Sequence, residues 1–347
     1  MTKNSGHWHN SVTSEGSTTS ERYLIRLAKK TFLSLWSYPN VYTDEGRHGK
    51  GDGKELCDLL IVFGNDIILF SDKDCKFTAH DDINVAWYRW YRRAIDKSVK
   101  QLKGAESWVN RFPARVFLDK SCEAPLPIKL PSTAECRIHL IAVTRGSATS
   151  SKSFWGENSS GSLFIDTNLV AEQHKDAPFR IGWALSNKQF IHVLDETTLD
   201  IVLKELDTIS DFIEYLVKKE KLFCTQDLDC VIPGEEELIA FYLSHYDYKK
   251  NEHYFPEIPK GSLLALGEGD WQRLLNSPEY AARRKANAIS YTWDSLIEFH
   301  SHHIIHGSSI SFADDQPTIN GERLMRIMAS ENRLTRRSLG EALHVVN

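Results

Sequence analysis

In the stretch KELCDLLIVFGNDIILFSDKDCKF, Lys54 to Phe77, charged residues stand where a buried strand pair should carry none. Two apolar runs flank a Gly-Asn-Asp turn, the pattern of a β-hairpin. Asp58 opens the first run, and Asp72 and Lys73 close the second. A buried charge is costly unless it is paired, hydrated or bound to something.

A two-residue turn at Asn65-Asp66 would set Asp58 opposite Lys73, and a three-residue turn would set it opposite Asp72. Opposed residues share a sheet face about 5 Å apart at Cβ. Alternation puts Ser71 on the face of Lys73 and Asp72 on the other. Either register gathers an Asp, a second oxygen-bearing residue and a Lys at one end of the hairpin. That set suits phosphodiester hydrolysis. Oxygen ligands hold a hard cation such as Mg²⁺ or Mn²⁺, which activates water and neutralises phosphate charge, while a Lys positions the water or steadies the transition state.

Several elements must position these groups. Thr19 or Ser20 can cap a helix beginning near Glu21, with Tyr23, Leu24, Leu27, Ala28, Phe32 and Leu35 on one stripe. VYTDEG reads as a short strand before the hairpin. A long helix is expected over about Asp82 to Asn110, then strands at ARVFLD and CRIHLIAVTRG. The Ser-rich SATSSKSFWGENSSG reads as a loop or flap. SLFIDTNL, FRIGWALS and QFIHVLD read as strands that extend the sheet or form a second layer, and two amphipathic helices with an acidic face follow. The expected organisation is a flexible arm over 1–19, an α/β domain over 20–223 and a helical domain over 224–347.

This order of elements, around a D-(x)n-(D/E)-x-K hairpin, resembles the PD-(D/E)xK restriction-endonuclease-like superfamily from about Ser20 to Gly146. The resemblance implies an α/β fold with an αβββαβ core, extra strands and a mostly helical C-terminal region. It implies a Mg²⁺- or Mn²⁺-dependent nuclease acting on DNA, with RNA also open, and a prokaryotic setting such as defence against phage or plasmid. Asp58 matches the first metal-binding Asp, Lys73 the catalytic Lys, and Gln101 a Gln that some branches place near the site. Glu21 is similar in position to an auxiliary acidic ligand. Ser71 stands where the family has Asp or Glu, an S-x-K variant. Asp72 by a register shift, the later Asp74-Cys75-Lys76, or Glu55 can supply a carboxylate instead. The alternative is a catalytically degenerate fold that binds nucleic acid or assembles with protein.

Along the long helix Trp87, Tyr91, Ala94, Ser98, Leu102 and Ala105 fall on one stripe. Arg89, Arg92, Arg93, Lys100 and Lys103 gather opposite, with Lys97 and Gln101 at the boundary. Arg89, Arg92, Arg93, Lys97 and Lys100 suit phosphate backbone, and the bland reading is a solvated face. Trp90 and Tyr88 are expected to pack. His302 and His306 have the spacing of a zinc pair, with Glu298, His300 and His303 beside them, but histidines near a helix end also cap carbonyls. RLMRIMASENRLTRRSL is a basic amphipathic segment suited to nucleic acid, a partner helix or solvent. No P-loop, G-x-S-x-G or dinucleotide fingerprint occurs.

The 347 residues are 41% hydrophobic and 26% charged, with formal net charge -5. That is the composition of an ordinary soluble protein, and it gives nucleic acid no global attraction. No run approaches the ~20 apolar residues that span a bilayer, and the N-terminus lacks an apolar signal region. The six cysteines are scattered without a C-x-x-C, so reduced thiols and a cytoplasmic location are expected. The helical regions are the expected surface for a protein partner or a homodimer, and the acidic helices between Asp195 and Lys221 suit a protein interface.

Overall fold

The computed structural model describes Gly16 and residues 18–47, 51–132, 134–224, 228–308 and 317–345. Nearly all of the expected N-terminal arm lies outside them. Helix α1 (Thr19–Phe32) is capped by Thr18, whose side chain takes the Glu21 N–H while the Glu21 carboxylate returns to the Thr18 N–H. This reciprocal capping box starts the helix two residues earlier than the pattern suggested, with Thr18 rather than Thr19 or Ser20 as cap.

Strands β1 (Ser37–Thr43), β2 (Lys54–Phe63) and β3 (Asp66–Asp74) follow as an antiparallel meander. A nearly continuous helical segment comes next, α2 (Ile83–Tyr91), a π-helical turn over Arg92–Asp96, and α3 (Lys97–Arg111). It crosses back to β4 (Arg137–Arg145), parallel to β3. Beyond it lie α4 (Ala148–Trp155), β5 (Phe164–Val170), β6 (Arg180–Trp183), β7 (His192–Leu194), α5 (Thr198–Glu205) and α6 (Ile209–Phe223). Then come β8 (Asp229–Ile232), α7 (Glu235–Leu243), β9 (Tyr246–Asp247), β10 (Glu252–His253) and β11 (Leu263–Ala265). Helices α8 (Asp270–Leu275), α9 (Pro278–Asn287), α10 (Tyr291–Ile305), α11 (Pro317–Ala329) and α12 (Arg333–Val345) complete the chain.

The main sheet has the order β1-β2-β3-β4-β7 and is covered on both faces. Leu59, Ile61, Ile68 and Phe70 face α1 and α6, whereas Leu60, Val62, Ile67 and Leu69 face the long helix, where Trp87, Trp90 and Ala94 are fully buried. Burial on two faces explains why the hairpin reads as unbroken apolar runs rather than as alternation. Each large side chain withdrawn from water contributes about 1.5–3 kcal/mol.

Three expectations are corrected. The hairpin turns at Gly64-Asn65, one residue earlier than Asn65-Asp66, with Phe63 paired to Asp66 and Leu59 to Phe70. Gly64 takes φ +61°, the left-handed value that glycine adopts freely at a tight turn. ARVFLD is no sheet strand: Phe117 makes isolated bridges to Tyr42 and Pro125. The Ser-rich stretch contains α4 rather than an open flap. The C-terminal part is mostly helical, as expected, and its short strands β8 and β11 join β5 and β6 in a second sheet, β11-β8-β5-β6. That sheet draws on both sides of the expected 223/224 division, and one core runs from α1 to α11.

Three consecutive glutamates at the start of α7 are all buried, each with its own partner. Glu235 meets Lys219 and the Tyr215 hydroxyl, Glu237 accepts the Gly269 and Trp271 N–H groups, and Glu236 takes the Ser160 hydroxyl. Burial pushes Glu236 up to about 7, reinforced by the charge of Asp195. Burial also lifts Asp195, to about 6. A raised carboxyl favours the fold below the ordinary carboxylate range, and that contribution is lost as pH climbs through about 7. Urea unfolding of Glu236→Gln should therefore show a shallower fall in stability between about pH 5 and 7, differing from wild type by on the order of 1–3 kcal/mol across the window. Parallel stability curves would refute this.

Candidate functional site

The observed register places Asp58 one step beyond the Leu59-Phe70 pair, beside Ser71. Ser71 and Lys73 therefore share its face, as alternation requires. Asp58 is buried, with side-chain exposure of 5%; it accepts the Asp72 N–H at 2.8 Å and lies 3.6 Å from the Lys73 ammonium, which is 28% exposed. One member of the pair is thus buried and the other reaches solvent.

Glu55 completes the carboxylate set. It stands at the solvent edge of β2 and hydrogen-bonds Asp58. Partial desolvation, then the charge and hydrogen bond of Asp58, lift it to about 7 against the opposing pull of Lys73. The charge of Glu21, on the first turn of α1, adds weakly to this upward shift. A Glu55 carboxyl raised in this way beside Asp58 can give up its proton to a divalent ion and offer an oxygen donor in its place.

Ser71, opposite Asp58 in the hairpin, has no exposed surface. Its hydroxyl donates to Gln101 Oε1 at 2.8 Å and lies 3.2 Å from Ser98 Oγ, whose own proton goes to the Ala94 carbonyl. Gln101 on the long helix is thus held against the end of β3. Asp72 behaves differently from the expectation that put it beside a metal. Its carboxylate is on the opposite face, fully buried, 3.3 Å from Arg145 Nε, and Arg145 in turn covers the Tyr23 ring. The turn at Gly64-Asn65 fixes this outcome, because shifting the register would reverse every side chain of β3. Burial raises Asp72 to about 6, with Arg145 opposing.

The long helix buries the predicted stripe and exposes Arg89, Arg92, Arg93, Lys97 and Lys100. These five, with Thr78, Tyr88 and Asp96, line an open groove. Arg93, Lys97 and Lys73 all act electrostatically on Cys75, so the groove leads to the hairpin end. Trp90 packs inside and donates to the Cys75 carbonyl, while the Tyr88 hydroxyl holds Glu172.

Other expected features are engaged elsewhere. Glu298 accepts from the Ser34 backbone and hydroxyl, and His306 Nδ1 lies 2.8 Å from the His302 carbonyl, so that histidine caps its helix. In the C-terminal basic segment Arg333 and Arg336 are buried against Asp207 and Asp294 rather than displayed. The acidic helices are likewise paired within the chain: Glu205 with Arg283, Asp207 with Arg333, Glu214 with Lys218. All six cysteines are free; Cys57 and Cys230 are buried and Cys224 is exposed. Among the described residues no helix is long and apolar enough to cross a membrane.

One cluster has no counterpart among the sequence-based expectations. Glu220 Oε1 lies 2.7 Å from His139 Nδ1 and 2.9 Å from His192 Nε2, and His139 Nε2 lies 3.2 Å from Asp66. A histidine at an inward position of each of two apolar strands was the available signal. Compared with protein-family models, curated proteins and solved structures, the chain matches none.

Proposed function

We propose that the chain is a metal-dependent nuclease that hydrolyses phosphodiester bonds of DNA at the Asp58, Glu55 and Lys73 site. The observation that carries this reading is the Asp58-Lys73 approach at 3.6 Å, with Glu55 hydrogen-bonded to the same Asp at a solvent-reaching edge. The resemblance to the PD-(D/E)xK superfamily supports it through the order α1, β1, β2, β3, long helix, β4. Asp58 and Glu55 would hold Mg²⁺ or Mn²⁺, with Glu21 as an outer carboxylate. A bound dication supplies an acidified water and offsets charge on the phosphate. Lys73 presents an ammonium where charge develops on the attacked phosphate, and Gln101 fixes the Ser71 floor beneath it.

The basic groove would guide the strand by neutralising phosphates. Replacing Arg89, Arg92 and Lys100 together by alanine should weaken DNA binding and flatten the dependence of log affinity on log salt, by about 0.9 for each phosphate no longer neutralised. A filter-binding titration across salt concentrations measures it, and an unchanged slope removes the groove from the proposal.

A second reading is favoured by Ser71, which replaces a carboxylate and is wholly buried. In it the same fold grips nucleic acid, or assembles with protein, without cutting. Incubating wild-type protein with supercoiled plasmid and Mg²⁺ or Mn²⁺ separates the two. Nicked or linear product that EDTA abolishes supports the nuclease. Intact plasmid, retained in a shift assay, with no anomalous Mn²⁺ peak beside Asp58 in a soaked crystal, supports the binding module.

A further inference from the structure

We propose that His139, His192 and Glu220 form a binding site for a transition-metal dication of the Zn²⁺ kind, separate from the hairpin site. His139 on β4 and His192 on β7 are neighbours on one sheet face, because Ile141 pairs with His192 and His139 lies two residues before Ile141. Glu220 reaches them from α6. The three donor atoms lie within 4.8 Å of one another, the one such group of three or more metal-ligating side chains among the described residues.

Both imidazoles point at the same carboxylate oxygen, at 2.7 and 2.9 Å. Metal bonds of about 2.0–2.2 Å in tetrahedral geometry need donors about 3.3 Å apart, so the two carboxylate–imidazole distances have to open by roughly half an ångström, with the ring nitrogens already within 4.8 Å of each other. Both histidines are 1% exposed, whereas the Glu220 side chain is 30% exposed, which leaves a solvent-side approach for the ion and for a fourth ligand.

One further observation favours a metal over a purely hydrogen-bonded cluster. The far nitrogen of His139 is held by Asp66, itself fixed by Arg137 at 2.7 Å, and a carboxylate behind a ligating histidine orients the ring in metal sites. Two nitrogen donors select a borderline metal rather than Mg²⁺. In register His139 is level with Ile68 and His192 with Phe70, about 10–17 Å along the sheet from Lys73, and both histidines lie on the α6 face, opposite that of Asp58 and Lys73, so the cluster is no part of the hairpin site. An ion here would clip β4, β7 and α6 together.

Purified full-length protein should take up one equivalent of Zn²⁺, and with Co²⁺ it should give visible d–d absorption of a tetrahedral site. Its melting temperature should rise with added Zn²⁺. The exposed His302→Ala/His306→Ala variant should retain both signals, and Glu220→Gln should lose them with its far-UV spectrum unchanged. Should Glu220→Gln fail to fold, X-ray absorption at the Zn edge on the His302→Ala/His306→Ala variant still decides, with two imidazoles and oxygen expected in the first coordination sphere. Failure of wild type to hold Zn²⁺, undiminished uptake by folded Glu220→Gln, or loss of uptake in His302→Ala/His306→Ala would each overturn the proposal. The readout is metal uptake, so it stands or falls independently of nuclease activity.

Discussion

Alanine in place of Lys73 is expected to reduce metal-dependent plasmid cleavage on the order of 10²–10³-fold while leaving the fold intact. The ammonium is the cation that Asp58 meets at 3.6 Å, and with 28% of its side chain exposed it can swing toward a substrate oxygen. Its loss should cost little stability, because a partly exposed ion pair contributes about 0–1 kcal/mol. Asp58 keeps the Asp72 N–H and the hydrogen bond with Glu55. Single-turnover cleavage rates and a thermal melt on the same preparation separate catalysis from folding. Asp58→Asn should show the same loss and also fail to bind Mn²⁺, whereas Lys73→Ala should still bind it. Cutting by Lys73→Ala at the wild-type rate would remove the lysine from the mechanism. Equal loss of Mn²⁺ in both variants would make Lys73 a structural partner of Asp58 rather than a group that acts on substrate.

The hairpin faces were legible because period-two alternation puts Ser71 and Lys73 on one side of β3 and Asp72 on the other. A two-residue turn then brings Asp58 to the side of Ser71 and Lys73, where a three-residue turn would have brought it to Asp72. The turn was not legible to the residue. Gly64-Asn65 and Asn65-Asp66 are both acceptable, and only the fit of Phe63 opposite Asp66 decides between them. The stripe of the long helix survived the π turn at Arg92–Asp96 because Ala94, Ser98 and Leu102 lie on the inward side of the segment.

What escaped the sequence were contacts between elements far apart in the chain. Glu220 and His139 are separated by 81 positions, and neither apolar strand declares which helix will cover it. α4 escaped for a local reason: serines favour caps and turns over helix interiors, yet Ser151 donates to the Ser162 carbonyl and is buried by the return of the chain. The basic segment at the C-terminus was misleading in the opposite sense, since charge that looks displayed in sequence becomes internal once acidic loops close over it.

That closure gives the second large effect. Asp294 on α10 accepts Arg333 Nη1 at 2.7 Å on one oxygen and Arg336 Nη1 at 2.6 Å on the other. Arg336 is 1% exposed and Arg333 nearly as buried, so both guanidiniums depend on internal partners. Arg333 also holds Asp207 and the Asp207 carbonyl, which ties α12 to the loop between α5 and α6. Asp294→Ala should destabilise the protein by about 3–5 kcal/mol, because it strands one buried cation and halves the ion pairing of the other. Asp294→Asn, which keeps an acceptor but not the charge, should fall between. Replacing Asp294 and Arg336 together by leucine and methionine should recover much of the loss, since an apolar pair leaves no unpaired charge behind. Chemical denaturation of the four proteins reads this directly. A loss under 1 kcal/mol for Asp294→Ala, or no recovery in the double variant, would mean that packing of α12 rather than the charge triad anchors the C-terminal helices to the sheet.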